Sequence, residues 1–317
     1  MTSSRHVRGW AGVGSLALVT ALVLTGCTGD GTRPASDEAS GPTATDDAQS
    51  SESPAQTPAE SPAESPSESP SDSAGSGTAV PVYYAGDGPG GRTVLFREFH
   101  RVEGDPLLEA ARLVAGGGQP DDPDYRTLWP GVEISSVTAT DGVLLVEIPS
   151  DGFTQRPDGM TRRDARLALQ QLVHTLQGVQ QERVPVQVAR EGDASLFGLP
   201  TTMPFEQASP LKTLNLVNIT SPEEGATVTD DVLTVTGVAN SFEASGPCRL
   251  LVDGVEMVLQ GYQSEGWMED RLFPFEVEFP LEGIRGEVVV QCETDDPSGG
   301  AEGDGPAVDT KTIHVAG

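Results

Sequence analysis

The groups in this 317-residue chain most able to do covalent or acid–base chemistry are three cysteines, four histidines and 48 carboxylates. Cys27 follows Leu24-Thr25-Gly26. Small side chains at 25 and 26 suit a protease that cuts before Cys27, and the nucleophilic Cys27 thiol can take a diacylglycerol. That commits Cys27 to lipid and leaves Cys248 and Cys292 as an even pair, each in a strand-like run: Cys248-Arg249-Leu250-Leu251-Val252 and Val288-Val289-Val290-Gln291-Cys292. In an oxidising compartment a disulfide between them is predicted, with two free buried thiols as the alternative. His6 lies ahead of Cys27, and His100, His174 and His314 show no zinc spacing. His174 falls on a helix border and is predicted to pack against a sheet. Neither a Gly-x-Ser-x-Gly elbow nor a phosphate-binding glycine loop is present. Asp121-Asp122-Pro123-Asp124 and Asp295-Asp296 with Asp304 lack the spacing of an EF-hand and read as solvated loops rather than calcium sites. No cofactor or metal is expected. Among the aromatic residues, Tyr262, Trp267 and Phe273 surround an acidic stretch where a hairpin tip could dock a partner; packing into the core is the favoured reading.

The N-terminus explains why Cys27 matters. Arg5, His6 and Arg8 are followed by an apolar, uncharged run from Trp10 to Leu24. The run is too short for a comfortable membrane span and suits a signal peptide. With Leu24-Thr25-Gly26-Cys27 behind it, it resembles the bacterial lipobox. Residues 1–26 are therefore predicted to be a lipoprotein signal peptide. Residues 27–79 are predicted to be a disordered stalk: 28–79 hold no aromatic residue and no Val, Ile, Leu or Met, and Glu-Ser-Pro recurs four times. Such a stalk reaches about 40 Å as a coil and about 160 Å fully extended. The formal net charge of -29 excludes a basic nucleic-acid footprint. It also repels anionic headgroups, so lipid must supply the membrane attraction. The expected location is the outer face of a cell membrane.

From Val80 the pattern becomes that of folded domains, and the fold class expected is α+β. Residues 80–203 read as a small mixed α/β domain in the order β-β-α-β-β-α-β, with helices over one face of a single small sheet. Strands are predicted at 80–84, 93–99, 132–140, 143–148 and 184–189, with Asp141-Gly142 as a hairpin turn. One helix opens at Asp105-Pro106 and ends at Gly116. Another is capped by Thr161 and Asp164, carries Ala165, Leu169, Leu172, Val173 and Leu176 on one face, and closes at Gly178. Pro204 and Pro210 mark a linker over 204–213. Residues 214–317 show seven short strand-like runs and no amphipathic helix, which argues for a β-sandwich.

Three stretches of the first domain resemble the GerM (GerMN) domain of sporulation and germination proteins: Val82-Tyr83-Tyr84; the helix from Leu107 to Leu113 with Pro130-Gly131-Val132-Glu133-Ile134; and, most specific, Ala168 to Leu176 followed by Val184-Pro185-Val186-Gln187-Val188. Gly116-Gly117-Gly118-Gln119-Pro120 departs from the tighter Gly-Pro turn usual there. The second domain resembles the immunoglobulin-like domain that often follows a GerM domain, through Ile219 to Val228 and Val235 to Ala244. The resemblance implies a non-catalytic envelope lipoprotein whose modules bind an envelope protein or peptidoglycan, in sporulation, germination or envelope assembly. Two other readings stand beside it: an accessory of a sensor kinase or secretion system, as in LpqB-type lipoproteins, and a wall hydrolase using paired carboxylates such as Glu98 and Glu103.

Overall fold

A computed structural model describes residues 77–190, 192, 194–296 and 303–316. Cys27, the apolar run and the stalk lie outside the described residues. The described residues fall within one compact unit.

The first domain opens with a long hairpin, β1 (Thr78–Asp87) and β2 (Thr93–Val102), in which Tyr84 faces Phe96. Two glycines with positive φ, Gly90 (64°) and Gly91 (71°), turn the chain between them. Helix α1 (Pro106–Ala115) starts where Asp105 accepts from the amides of Leu107 and Leu108 at 3.0 and 3.3 Å. Strands β3 (Ser136–Thr140) and β4 (Val143–Ile148) are antiparallel around Asp141-Gly142, both at positive φ as a primed hairpin turn requires. Helix α2 (Arg162–Gln180) begins at the reciprocal Thr161–Asp164 capping box. It returns the chain to β5 (Val186–Arg190), parallel to β4. A short hairpin, β6 (Ser195–Leu196) and β7 (Leu199–Pro200), follows.

Three expectations are corrected. The single sheet is instead a two-stranded β1–β2 hairpin and a separate three-stranded β3–β4–β5 sheet, which share one hydrophobic core with the helices. Residues 132–135 are irregular, because the Val132 amide turns away to the Ala115 carbonyl (2.6 Å). Gly178 does not end α2, which runs on to Gln180; a Cβ at 178 would come within 2.8 Å of Pro81 Cγ, so the missing side chain lets the helix press on β1.

Residues 204–213 are strapped down rather than left free. Phe205 exchanges backbone hydrogen bonds with Val186, and Gln170 bonds both the Glu206 carbonyl and the Ala208 amide. The short helix α3 (Pro210–Thr213) then leads into the second domain. That domain has eight strands: β8 (Val217–Ser221), β9 (Thr227–Val228), β10 (Val232–Ala239), β11 (Ser245–Val252), β12 (Val255–Ser264), β13 (Phe273–Pro280), β14 (Gly286–Glu293) and β15 (Val308–Val315). They are hydrogen-bonded in the order β8-β10-β13-β12-β11-β14-β15-β9. Between β12 and β13 only Gln263–Glu276 and Ser264–Phe275 are paired, so the sheet folds at that corner and closes over a core of its own. Cys248 and Cys292 are direct partners on neighbouring strands β11 and β14, and a disulfide joins them.

Candidate functional site at the domain junction

Strand β2 lies between the two domains, and its alternating side chains serve both. The Arg97 amide donates to Asn218 Oδ1 (3.0 Å), and the Asn215 amide donates to the Leu95 carbonyl (2.8 Å). Glu98 is buried. Its two oxygens accept from the amides of Asp121 (3.1 Å) and Asp122 (2.8 Å) and so hold the loop after α1. His100 stands between carboxylates, with Nε2 3.1 Å from Glu98 and Nδ1 3.6 Å from Asp121. Burial alone would lower its pKa, but the Glu98 hydrogen bond and the charges of Asp121, Glu98 and Glu223 outweigh this and raise it.

Behind this lies a buried knot. Lys311 of β15 pairs with Asp122, and both side chains are almost inaccessible to water. Lys311 Nζ also donates to the Tyr125 hydroxyl (3.0 Å), which in turn donates to Asp309 Oδ1 (2.5 Å). Asp309 accepts further from Asn218 Nδ2 (3.0 Å) and from the amides of Ile219 (2.6 Å) and Thr310 (3.0 Å). Burial raises the Asp309 pKa, partly offset by Lys311 and these donors. For Lys311 burial acts to lower the pKa, but Asp309 and Asp122 more than reverse it. The knot spans the junction: Asp122 and Tyr125 come from the first domain, Asp309 and Lys311 from the second.

In the acidic loop at 121–124, Asp121, Pro123 and Asp124 are exposed, and the solvated-loop expectation fails only at Asp122. Asp122 is buried and also accepts from the Asp124 amide (2.9 Å), while Asp124 accepts from Thr310 Oγ1 (3.2 Å). Ligand atoms of Glu98, His100 and Asp121 lie within 4.8 Å of one another, the spacing of a cation site. The two ring nitrogens face different carboxylates, however, and Glu98 already accepts from two amides, so contacts among the three residues and the loop account for the cluster. Glu98 and Glu103 do not form a hydrolytic pair. Five residues of extended chain separate them by roughly 16 Å, beyond the 5–9.5 Å or so that glycosidase carboxylates need.

His174 is buried on α2, its ring tilted against that of Tyr83 of β1 with centroids 5.2 Å apart. Gln207 Nε2 donates to its Nδ1 (3.0 Å), which leaves Nε2–H to donate to Thr213 Oγ1 (3.2 Å). Burial and the charge of Arg183 push its pKa down to about 4, so it is neutral at pH 7. The aromatic residues around 262–273 pack inward and do not form a docking tip. Tyr262 and Phe273 are buried, Tyr262 stacks on Phe275 at 4.3 Å, and its hydroxyl donates to the Glu293 carbonyl. Trp267 is half-buried and packs edge-on against Phe242 at 5.3 Å.

Beside the knot the two domains leave a cleft of about 150 Å³. Arg97, Arg183 and Arg271 line it, together with His174, Gln207, Asn215 and an apolar wall that includes Leu95, Leu214 and Val238; among the described residues no Asp or Glu lines it. Neither the knot nor the cleft was foreseen from the sequence. Asp122 and Lys311 are 189 residues apart, and only the isolated burial of a lysine in a strand of alternating Thr, Lys and Ile offered a hint.

Residues 81–195 match the family model described as sporulation and spore germination, and residues 216–301 match the immunoglobulin-like domain of bacterial spore germination. Among solved structures, the tandem GerMN domains of the sporulation protein GerM from Bacillus subtilis are similar at 15% identity and a TM-score of 0.31, over 64% of this chain and 60% of that one. An engineered protein is similar at 12% identity and a TM-score of 0.26, over 54% of this chain and 39% of that one. The chain thus spans less than two thirds of either structure. No curated protein matches it. Residues 81–195 thus form a sporulation and spore germination domain, and residues 216–301 an immunoglobulin-like domain of bacterial spore germination.

Proposed function

We propose that the protein is an exported lipoprotein, cut before Cys27 and held by lipid at the outer face of a cell membrane. Its two germination-type domains act as one binding body on a stalk, with a role in sporulation or germination. The observation that carries this reading is the junction knot. Lys311, Asp122, Tyr125 and Asp309 tie the two domains through buried charge, a costly arrangement that breaks badly if either domain shifts. Two modules joined in this way present one composite surface, which suits the docking of an envelope protein or the wall. We read the modules as binding rather than catalytic. The titratable groups with shifted pKa at the junction are engaged in holding it together, and the matched families are described by germination and immunoglobulin-like folds.

The test has two arms. Intact-mass analysis of the membrane fraction should find the mature chain starting at a diacylated Cys27, and Cys27→Ser should leave it unanchored. Cross-linking in intact cells should then capture a specific envelope partner with the wild-type chain and lose it when residues 80–317 are deleted. A membrane-bound chain with an unmodified Cys27, or a deletion that keeps full function, would refute the reading.

A further inference from the structure

We propose that the cleft between the two domains binds a carboxylate carried on a short extended peptide, with Arg97 as its main partner. The lining is the first argument. The chain carries 48 acidic and 19 basic side chains, yet among the described residues this cleft is lined by three arginines and no carboxylate. Arg271 is paired with Glu269 at 2.9 Å, but among the described residues neither Arg97 nor Arg183 has an ion pair. Arg97 is half-buried and fixed by its own strand, with its Cζ 5.1 Å from the centroid of the Phe99 ring. A guanidinium held in this way is pre-organised for a planar, two-oxygen anion.

The second argument is the set of unsatisfied polar atoms. Arg97 Nε, Gln207 Oε1 and Asn215 Oδ1 belong to cleft-lining residues, are buried, and have no hydrogen-bond partner among the described residues. Interiors leave few such groups. Turning the amides over would not help. Asn215 Nδ2 already donates to the Val217 and Val308 carbonyls (2.8 and 2.9 Å), and Gln207 Nε2 donates to His174. The junction therefore lacks an acceptor for the arginine and donors for two amide oxygens. A peptide supplies both, with its carboxylate and its N–H groups, and inorganic phosphate supplies only the first.

The third argument is shape. Tyr83 and Arg97 also line a larger groove of about 570 Å³, whose walls include Val80, Pro81, Phe99, Pro106 and Leu107. An extended chain can lie there with its charged group at the arginines. This goes beyond the envelope reading and does not need the lipid anchor, so either can fail alone.

The test is calorimetric titration of the full chain with three probes. Acetyl-leucyl-alanine carries a terminal carboxylate, its C-terminal amide carries none, and an amidated acetyl-leucyl-glutamate carries a side-chain carboxylate. At least one carboxylate probe should bind at least tenfold more tightly than the neutral amide, and which one does so identifies the end or the side chain as the natural group. Arg97→Gln should abolish this preference with the melting temperature unchanged. Arg183→Gln, at an exposed position, should weaken it if Arg97→Gln proves unstable. Equal binding of all three probes, no binding in the millimolar range, or a preference that survives both substitutions would overturn the proposal.

Discussion

Replacing Lys311 by alanine tests the knot directly. The lysine side chain is 4% exposed and that of Asp122 is 2% exposed, so the substitution leaves a carboxylate in a dry site with Asp309 nearby and no cation in contact. Removing one partner of such a pair costs about 3–5 kcal/mol. The Tyr125 hydroxyl also loses its 3.0 Å donor. For a body of this size each kcal/mol shifts the melting temperature by about 2–4 °C, so Lys311→Ala should lower it by roughly 6–20 °C. Lys311→Met with Asp122→Leu fills the same space without charge and should recover most of the loss. Differential scanning calorimetry of the three proteins, with a urea titration to confirm a single transition, supplies the measurement. A single-variant loss below about 1 kcal/mol, the value of a solvated surface pair, would show that the pair is not buried in solution and that the domains are not locked.

The two junction histidines should act with opposite signs. His100 has a raised pKa in the folded protein, so its contribution is fully present below the unfolded value near 6.5 and is lost as pH rises through the folded value; His100→Gln should flatten that part of the melting-temperature profile. His174 is held down at about 4, so the unfolded chain binds the extra proton between pH 6.5 and 4; stability should fall by about 3 kcal/mol as pH drops across that window, and His174→Gln should remove the loss. Reducing the Cys248–Cys292 bridge, which closes a loop with a sequence separation of 44, should cost about 4 kcal/mol, read as a lower urea midpoint in the presence of dithiothreitol. Gly178→Ala gains about 1 kcal/mol of helix propensity but sets a Cβ 2.8 Å from Pro81, where overpacking costs about 1–3 kcal/mol; the net effect on the urea midpoint should be a loss.

What the sequence displayed was mostly local. Asp105-Pro106 and Thr161 with Asp164 announce helix starts through hydrogen bonds made within a few residues. Asp141-Gly142 announces a hairpin through the φ values it tolerates. The end of α2 was less legible, because a glycine can mark either a stop or a close approach, and Gly178 is the second. Residues 132–135 carry a strand-like pattern, yet the Val132 amide bonds to the Ala115 carbonyl and regular pairing with β4 starts only near Ser135. The partners of Lys311 were invisible for a different reason: nothing in a lysine within a strand says that an aspartate 189 positions earlier will meet it. The arginine-lined cleft is of the same kind, since Arg97, Arg183 and Arg271 are spread along 175 residues of chain and gather only because the strap at 204–213 is fastened to α2 and β5.

That strap explains why knot and cleft share one joint. Strand β2 is the shared element. Glu98 and His100 hold the acidic loop whose Asp122 meets Lys311, while Leu95 and Arg97, alternating with them along the strand, bond to Asn215 and Asn218 of the second domain and line the cleft. Strand periodicity of two puts these duties on opposite faces, so neither set of side chains can move without carrying the other. A shift that opened the cleft would strain the Asp122–Lys311 pair, and loss of that pair would release the face on which Arg97 is held. The stability of the knot is therefore the condition for a fixed arginine geometry. For that reason Lys311→Ala, at a residue that does not itself line the cleft, should loosen carboxylate binding as well as lower the melting temperature.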